Sequence, residues 1–133
     1  MESLIIEIPC LPDPLLSPNR SRVAHWGQVT SARNQWKHDV FFSAFHAKPE
    51  GWRPPEKARI NITFVYPFRR RRDQTNLIAM WKSGEDMLVA AGVLVDDDLV
   101  HLETMVPRVE IDKARSPLTI VSIERLEVYN GQK

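Results

Sequence analysis

Three aspartates in a row, Asp96, Asp97 and Asp98, follow directly on the apolar run Gly92-Val93-Leu94-Val95. Carboxylate oxygens gathered at a strand end suit a hard cation such as magnesium or manganese. The plainer alternative is a solvated polar turn. Two unit charges about 4 Å apart repel by about 4 kcal/mol at an effective dielectric of about 20, and water screens most of that cost. A second group is the block Arg69, Arg70, Arg71 and Arg72 with Asp73 directly behind it. Four consecutive like charges are unfavourable together, and a phosphate backbone relieves them, since each guanidinium matches phosphate through two parallel hydrogen bonds. Here too a plainer alternative stands, a solvated loop followed by a helix N-cap at Asp73. A carboxylate beside a phosphate-binding block is what metal-assisted phosphodiester cleavage needs, the arginines holding the strand and the carboxylate holding the cation. Lys82 and Asp86, four residues apart, are neighbours on one helical face. They form either a surface ion pair worth about a few tenths of a kcal/mol or a lysine placed to stabilise developing phosphorane charge.

These residues need elements to hold them. Leu4 to Pro9 reads as a first strand, and Cys10 to about Val29 is irregular by composition. A helix is expected from about Ser31, capped by Thr30 or Ser31, with Trp36, Val40, Phe41 and Ala44 at three- and four-residue spacing and Pro49 and Gly51 beyond its end. Ala58 to Tyr66 alternates apolar and polar residues, the period-two mark of a half-buried strand. A second helix runs from Asp73 to about Ala91 with Leu77, Met80, Trp81, Leu88 and Ala91 as its stripe and Gly92 as its stop. Gly84 weakens it by up to about 1 kcal/mol relative to alanine. Val93 to Val95 reads as a short strand or strand entry. Leu99 to Val109 and Leu118 to Val128 read as two more strands around a polar turn containing Asp112, Lys113 and Ser116. The order strand, helix, strand, helix, strands gives an α+β fold with a mixed sheet in a single domain over residues 1–133.

Whole-chain quantities bound the function. With 133 residues, 43% apolar and 26% charged, the chain fits one core and is neither disordered nor fibrous. Its net charge of +1 would argue against a basic nucleic-acid binder, but it is the sum of cancelling clusters. No window approaches eighteen uninterrupted apolar residues, so no membrane partner is expected. A glutamate stands where a signal peptide needs a basic residue, and the one cysteine, Cys10, excludes an internal disulfide; both favour a cytoplasmic location. Cys10 and the histidines His25, His38, His46 and His101 lack zinc-motif spacing, and phosphate-loop, dinucleotide and serine-hydrolase signatures are absent. Trp36 and Trp81 fall on apolar helical stripes and are expected in the core. Trp26 and Trp52, placed in loops, are the better candidates to stack on bases or to cover the core edge.

Taken together, Arg69 to Val100 (RRRRDQTNLIAMWKSGEDMLVAAGVLVDDDLV) resembles the core signature of the RusA family of Holliday junction resolvases. That signature is an arginine-rich approach, an aspartate, an asparagine three residues on, a lysine, an aspartate and leucine, and a paired-aspartate turn followed by valine. It covers about a quarter of the chain, and Ser17-Pro18-Asn19-Arg20 fits the family's amino-terminal region more loosely. By this resemblance Asp73 matches the first catalytic aspartate, Asn76 the asparagine and Lys82 the catalytic lysine, with Asp86 at the family's spacing behind it. Asp96 and Asp97 match the paired aspartates, Asp97 being the better match to a metal ligand. The resemblance implies a magnesium-dependent endonuclease, manganese being a substitute, that acts as a homodimer on four-way DNA junctions. Asp73, Lys82 and Asp97 would be catalytic, Asp73, Asp97 and Asp96 would hold the metal, and Arg69 to Arg72 with Asn76 would hold the DNA.

Two departures qualify it. Thr75 stands where the family's prototype has a second aspartate, and a threonine hydroxyl is a poor magnesium ligand. Asn76 to Lys82 is about three residues longer than in the prototype, close to one helical turn. Were the insertion not between Leu77 and Trp81, Ala79 would face the site instead of Lys82. A rival reading is therefore a junction-binding module whose cleavage is weakened or lost.

Overall fold

The computed structural model of the chain describes residues 3–22 and 24–128. Strand β1 (Ser3–Ile8) buries Leu4, Ile6 and Ile8 and exposes Ser3, Ile5 and Glu7, as side chains alternating across a pleat must. The segment after it, expected to be irregular, contains a 3-10 turn at Pro14–Leu16, whose cap Asp13 accepts the Leu15 N–H at 2.9 Å, and a one-turn helix α1 (Pro18–Ser21).

Helix α2 (Trp26–Ala47) starts five residues before the expected Ser31, so Thr30 and Ser31 lie inside it and do not cap it. The cap is His25, whose Nδ1 accepts the Gly27 N–H at 3.1 Å. Histidine stands outside the usual capping set and Gly27 lowers helix propensity, which is why composition hid the first turn. Val29, Ala32, Trp36, Val40 and Ala44 form its buried stripe.

Strand β2 occupies Ala58–Tyr66, the expected span. Helix α3 (Gln74–Ala90) is capped by Asp73, whose Oδ1 accepts the Asn76 N–H at 2.9 Å. Gly92 ends it in the left-handed conformation (φ 82°) that favours glycine. Gly92 N–H returns to Val89 C=O at 3.0 Å and Val93 N–H to Leu88 C=O at 3.0 Å, so two carbonyls that the helix end would orphan are satisfied. This closure buries Val93 and Leu94, which pair with no strand among the described residues, so the strand expected at Val93 to Val95 is an irregular, bent segment.

The strand expected over Leu99 to Val109 is two pieces, β3 (Leu102–Thr104) and β4 (Arg108–Ile111), both parallel to β2. Between them Met105, Val106 and Pro107 oppose only Asn61 and Ile62, one residue more than the register accommodates. Proline supplies no N–H to a ladder, and the extra residue breaks the pairing there. Strand β5 (Leu118–Arg125) stops short of the expected Val128 because β2, its partner, begins at Ala58 opposite Arg125.

The sheet order is β1-β5-β2-β3, with β4 also on β2; β5 is antiparallel to both neighbours. The fold is α+β with a mixed five-stranded sheet and two main helices. Ile6, Ile8, Ile60, Ile62, Phe64, Val121 and Ile123 meet Trp36, Val40, Leu77, Trp81 and Leu88 of α2 and α3 in one core. Burying each such side chain contributes about 1.5–3 kcal/mol. Where the helices cross, Trp36 and Trp81 pack edge to face at 6.3 Å, and a Cβ on Gly84 would come within 2.9 Å of Trp36 Nε1 and of Val40 Cγ2. Gly84 therefore lets the two helices approach closely. The opposite sheet face is mixed, with Ile5 exposed on it, and carries ion pairs: Arg59 of β2 reaches Glu103 of β3 at 3.1 Å and Glu124 of β5 at 3.7 Å, its register partners on either side. Among the described residues, no helix is long and apolar enough to cross a membrane.

Candidate functional site

Helix α3 carries most of the chemistry, and its two ends hold different groups. At its carboxyl end, the tight closure at Gly92 turns the chain back along the helix. Lys82 and Asp86 of α3 and Asp97 of the following turn then line one cavity of about 510 Å³, together with Arg33 of α2. Ala79 and Lys82 both line it, so the placement of the helical insertion does not exclude Lys82. Among the described residues Lys82 makes no ion pair, with Asp86 or with any other acid.

The Asp86 carboxylate beside Asp97 pushes the Asp97 carboxyl up from its ordinary value of 3.8 to about 6, with desolvation and the neighbouring Asp96 carboxylate adding to the effect. A neighbouring carboxylate disfavours the charged form of Asp97. Oxygen donors in that state fit a hard cation, which would remove the conflict. Glu85, on the same cavity, is already engaged: its Oε1 accepts from Trp81 Nε1 at 3.0 Å and from Thr104 Oγ1 at 2.9 Å.

Within the aspartate triplet the roles differ. Asp96 Oδ1 accepts the Asp97 N–H at 2.7 Å. Asp98 Oδ1 accepts the Val100 N–H at 3.1 Å and the His101 N–H at 3.0 Å, and meets His101 Nδ1 at 2.7 Å. Asp98 thus builds the turn, and those hydrogen bonds, His101 first, hold its carboxyl below the usual carboxylate range. Asp96, Asp98 and His101 each offer one ligand atom within 4.8 Å of the others, a group that could hold a metal ion. His101, set aside for zinc on spacing, is therefore part of a metal-capable cluster; its i, i+3 offset from Asp98 was the available signal. For Arg33, far away in sequence on α2, no local signal existed.

At the other end of α3, Asp73, Asn76, Arg70, Arg71 and Arg72 line a separate pocket of about 170 Å³, which Arg20 of α1 also joins. Asp73 faces Asn76 with both oxygens, Oδ1 on the backbone N–H at 2.9 Å and Oδ2 on the side-chain Nδ2 at 3.2 Å. Arg72 lies over the Tyr66 ring at 3.5 Å and donates to Arg70 C=O at 3.1 Å. Arg69 is exposed and does not line this pocket.

Asp73 and Asp97, which the resemblance assigns to one metal, are not brought together within the chain. Thirteen residues of helix separate Asp73 from Asp86, a rise of about 20 Å at 1.5 Å per residue, and Asp97 is at the Asp86 end. A shared ion would require donors about 2 Å from it on both sides. Thr75 lies at the Asp73 end, in the first turn of α3, so the missing aspartate is not missing from the Asp86–Asp97 cavity.

The tryptophans divide in the same way. Trp36 and Trp81 are core residues. Trp26 is the first residue of α2 rather than a loop residue, and is 75% exposed. Trp52 covers the core edge, its Nε1 donating to Val93 C=O at 3.2 Å. No protein-family model matches the chain, and no curated protein matches it significantly in sequence.

Proposed function

We propose that this chain is a divalent-metal-dependent DNA endonuclease that cuts four-way junctions, a divergent relative of the RusA resolvases acting as a homodimer in the cytoplasm. The observation that carries the reading is the meeting of Lys82, Asp86, Asp97 and Arg33 in the lining of one cavity. Asp86 and Asp97 are the ligands for magnesium, with manganese as substitute, and Asp96 adjoins them through the Asp97 N–H. Magnesium, when bound, supplies charge neutralisation at the phosphodiester and polarisation of the attacking water. Lys82 stabilises the charge that develops on the phosphate oxygens, and Arg33, on the same cavity, holds the same group. Asp73 keeps a structural task, fixing the start of α3 beside Arg70 to Arg72.

One observation favours a second reading. Asp73, which the resemblance makes catalytic, is spent on Asn76 at the far end of the helix. A junction-binding module with weakened or lost cleavage would look the same from outside. The test is cleavage of a synthetic four-way junction beside a matched linear duplex, with magnesium and with EDTA. Magnesium-dependent cuts in the junction alone support the endonuclease; salt-sensitive junction binding without cuts assigns the module; neither cutting nor binding removes both readings.

A further inference from the structure

We infer that the outer edge of β4 is where two copies of this chain meet, pairing antiparallel about a twofold axis at Val109 and joining their sheets into one. This gives the homodimer proposed above a contact surface; it rests on that part of the reading and not on the cutting of DNA. The edge lies outside Arg69 to Val100, the stretch that carries the resemblance.

Among the described residues β4 pairs with β2 and with no other strand. The Asp112 N–H, just beyond it, donates to Tyr66 C=O at 2.9 Å. Main-chain groups alternate sides along a strand, so Arg108 and Glu110 also turn theirs to β2, while Val109 and Ile111 turn theirs outward. Those outward groups meet no other main-chain partner among the described residues. An edge of this kind is a template for a further strand. Arg108, Val109 and Glu110 are exposed, as are Met105 and Val106 just before them. Among the described residues neither Arg108 nor Glu110 takes part in an ion pair.

The order of the charges favours a second copy over an unrelated strand. A twofold axis perpendicular to the sheet at Val109 sets Arg108 of each copy opposite Glu110 of the other. It also lets the two Val109 residues exchange both of their outward main-chain hydrogen bonds. Opposite charges directly across a strand pair favour it, and like charges oppose it. Centring the axis on Glu110 instead would put its carboxylate against its own copy. The other edge of the sheet, β1, offers no such match, since Ser3–Ile8 contains Glu7 and no basic residue. The Val109 axis further lays the second chain along Met105 and Val106. Pro107, which has no N–H, ends the ladder after a few pairs, so the dissociation constant is expected to be on the order of micromolar.

The test is sedimentation velocity of the full chain from about 1 to about 100 µM, with circular dichroism checking the fold of each variant. The wild type is expected to pass from monomer to dimer within that range. Arg108→Glu alone, and Glu110→Arg alone, each set two like-charged pairs where opposite ones stood. Each should raise the dissociation constant about tenfold. The double variant Arg108→Glu/Glu110→Arg restores the match with the signs exchanged and should dimerise like the wild type. An equimolar mixture of the two single variants should do so as heterodimers. A merely structural role for either residue would give no such rescue. Should a single variant fail to fold, the double variant and Val109→Lys, expected to be monomeric, carry the test. A wild type that stays monomeric throughout overturns the surface and leaves Arg108, Pro107 and Glu110 as residues that keep other strands off the edge. A dimer indifferent to the single reversals meets elsewhere, and single losses without rescue rule out the Val109 axis; either result overturns the assignment. Cutting is read separately. A wild type that dimerises through β4 but never cuts a junction with magnesium removes the endonuclease reading and keeps the surface; paired cutting by a dimer that ignores the reversals does the opposite.

Discussion

With Asp86 beside it, Asp97 releases its proton only near pH 6, and that placement makes a prediction with a definite sign. A carboxyl whose folded value exceeds its unfolded value stabilises the fold in its protonated form, so the contribution is full below about pH 3.8 and is lost as pH rises through about 6. Asp86→Asn removes the main cause. In metal-free protein it should bring Asp97 back towards 3.8 in a carbon-13 carboxyl titration, and it should flatten the decline in melting temperature between about pH 4 and about pH 6. An Asp97 titration unmoved by Asp86→Asn would mean that the two carboxylates do not interact in solution. Cys10 gives a second residue-level expectation. Burial first, then the Asp39 carboxylate that accepts from its Sγ at 3.3 Å, push the thiol up to about 12. The folded protein should therefore react with a thiol reagent at pH 8 at least about tenfold more slowly than the unfolded chain, since the thiolate is the nucleophile. Equal rates in the two states would show that Asp39 and burial leave the thiol unprotected.

At the scale of elements, α3 poses a contest between intrinsic propensity and packing, and Gly84 decides it. Propensity alone says that Gly84→Ala gains about 1 kcal/mol. The crossing with α2 says otherwise, because the added methyl meets Trp36 Nε1 and Val40 Cγ2 at 2.9 Å, and overpacking of this kind costs about 1–3 kcal/mol. Urea unfolding should show a net loss of stability; a gain would mean that α2 and α3 are less tightly joined than they stand here. The same contest explains what was legible in the sequence. β2 and α3 carried consistent local signals, an unbroken alternation and a capped stripe closed by glycine, and their boundaries could be read off. The start of α2 could not, because an unusual cap at His25 and a glycine in the first turn argued locally for a loop while the tertiary stripe from Val29 onward argued for a helix. Pro107 was a signal for the break between β3 and β4, but only the register against β2 shows that an extra residue sits there. The site was legible in part for a similar reason. Lys82 and Asp86 lie in the middle and second half of α3 and Asp97 in its return segment, whereas Asp73 lies a helix length away from Asp86. Arg20 and Arg33 come from α1 and α2, and only the packing of those helices against α3 places them.

For the whole molecule, a net charge of +1 understates how the surface is organised. The start of α3 is rimmed by arginines, and its second half carries a cavity lined by Asp86, Asp97, Lys82 and Arg33. Long-range attraction of DNA depends on such local fields rather than on the sum, so junction binding should fall steeply with salt although the sequence pI is near 7.9. Binding and cutting should also come apart by mutation. On the proposed reading Asp97→Asn would take a ligand from the metal and remove no positive charge, so it should abolish cutting while leaving the affinity and its salt slope near those of the wild type. The chain carries a single cavity of this kind among its described residues, and resolving a junction requires cuts in two opposed strands, so the proposed reaction would demand two chains related by a twofold axis. A cruciform-bearing supercoiled plasmid separates the cases. A dimer that stays bound cuts both strands and yields linear DNA directly. A monomer nicks once, releases the supercoil that sustains the cruciform, and leaves nicked circles. Linear product appearing without a preceding nicked pool is the expected result for wild type with magnesium. Mixing wild type with excess Asp97→Asn should then convert the product to nicked circles, because most dimers that cut at all would hold one working cavity. Nicked circles from wild type alone would show that two cavities do not act together and would end the resolvase reading, even if the protein cuts DNA.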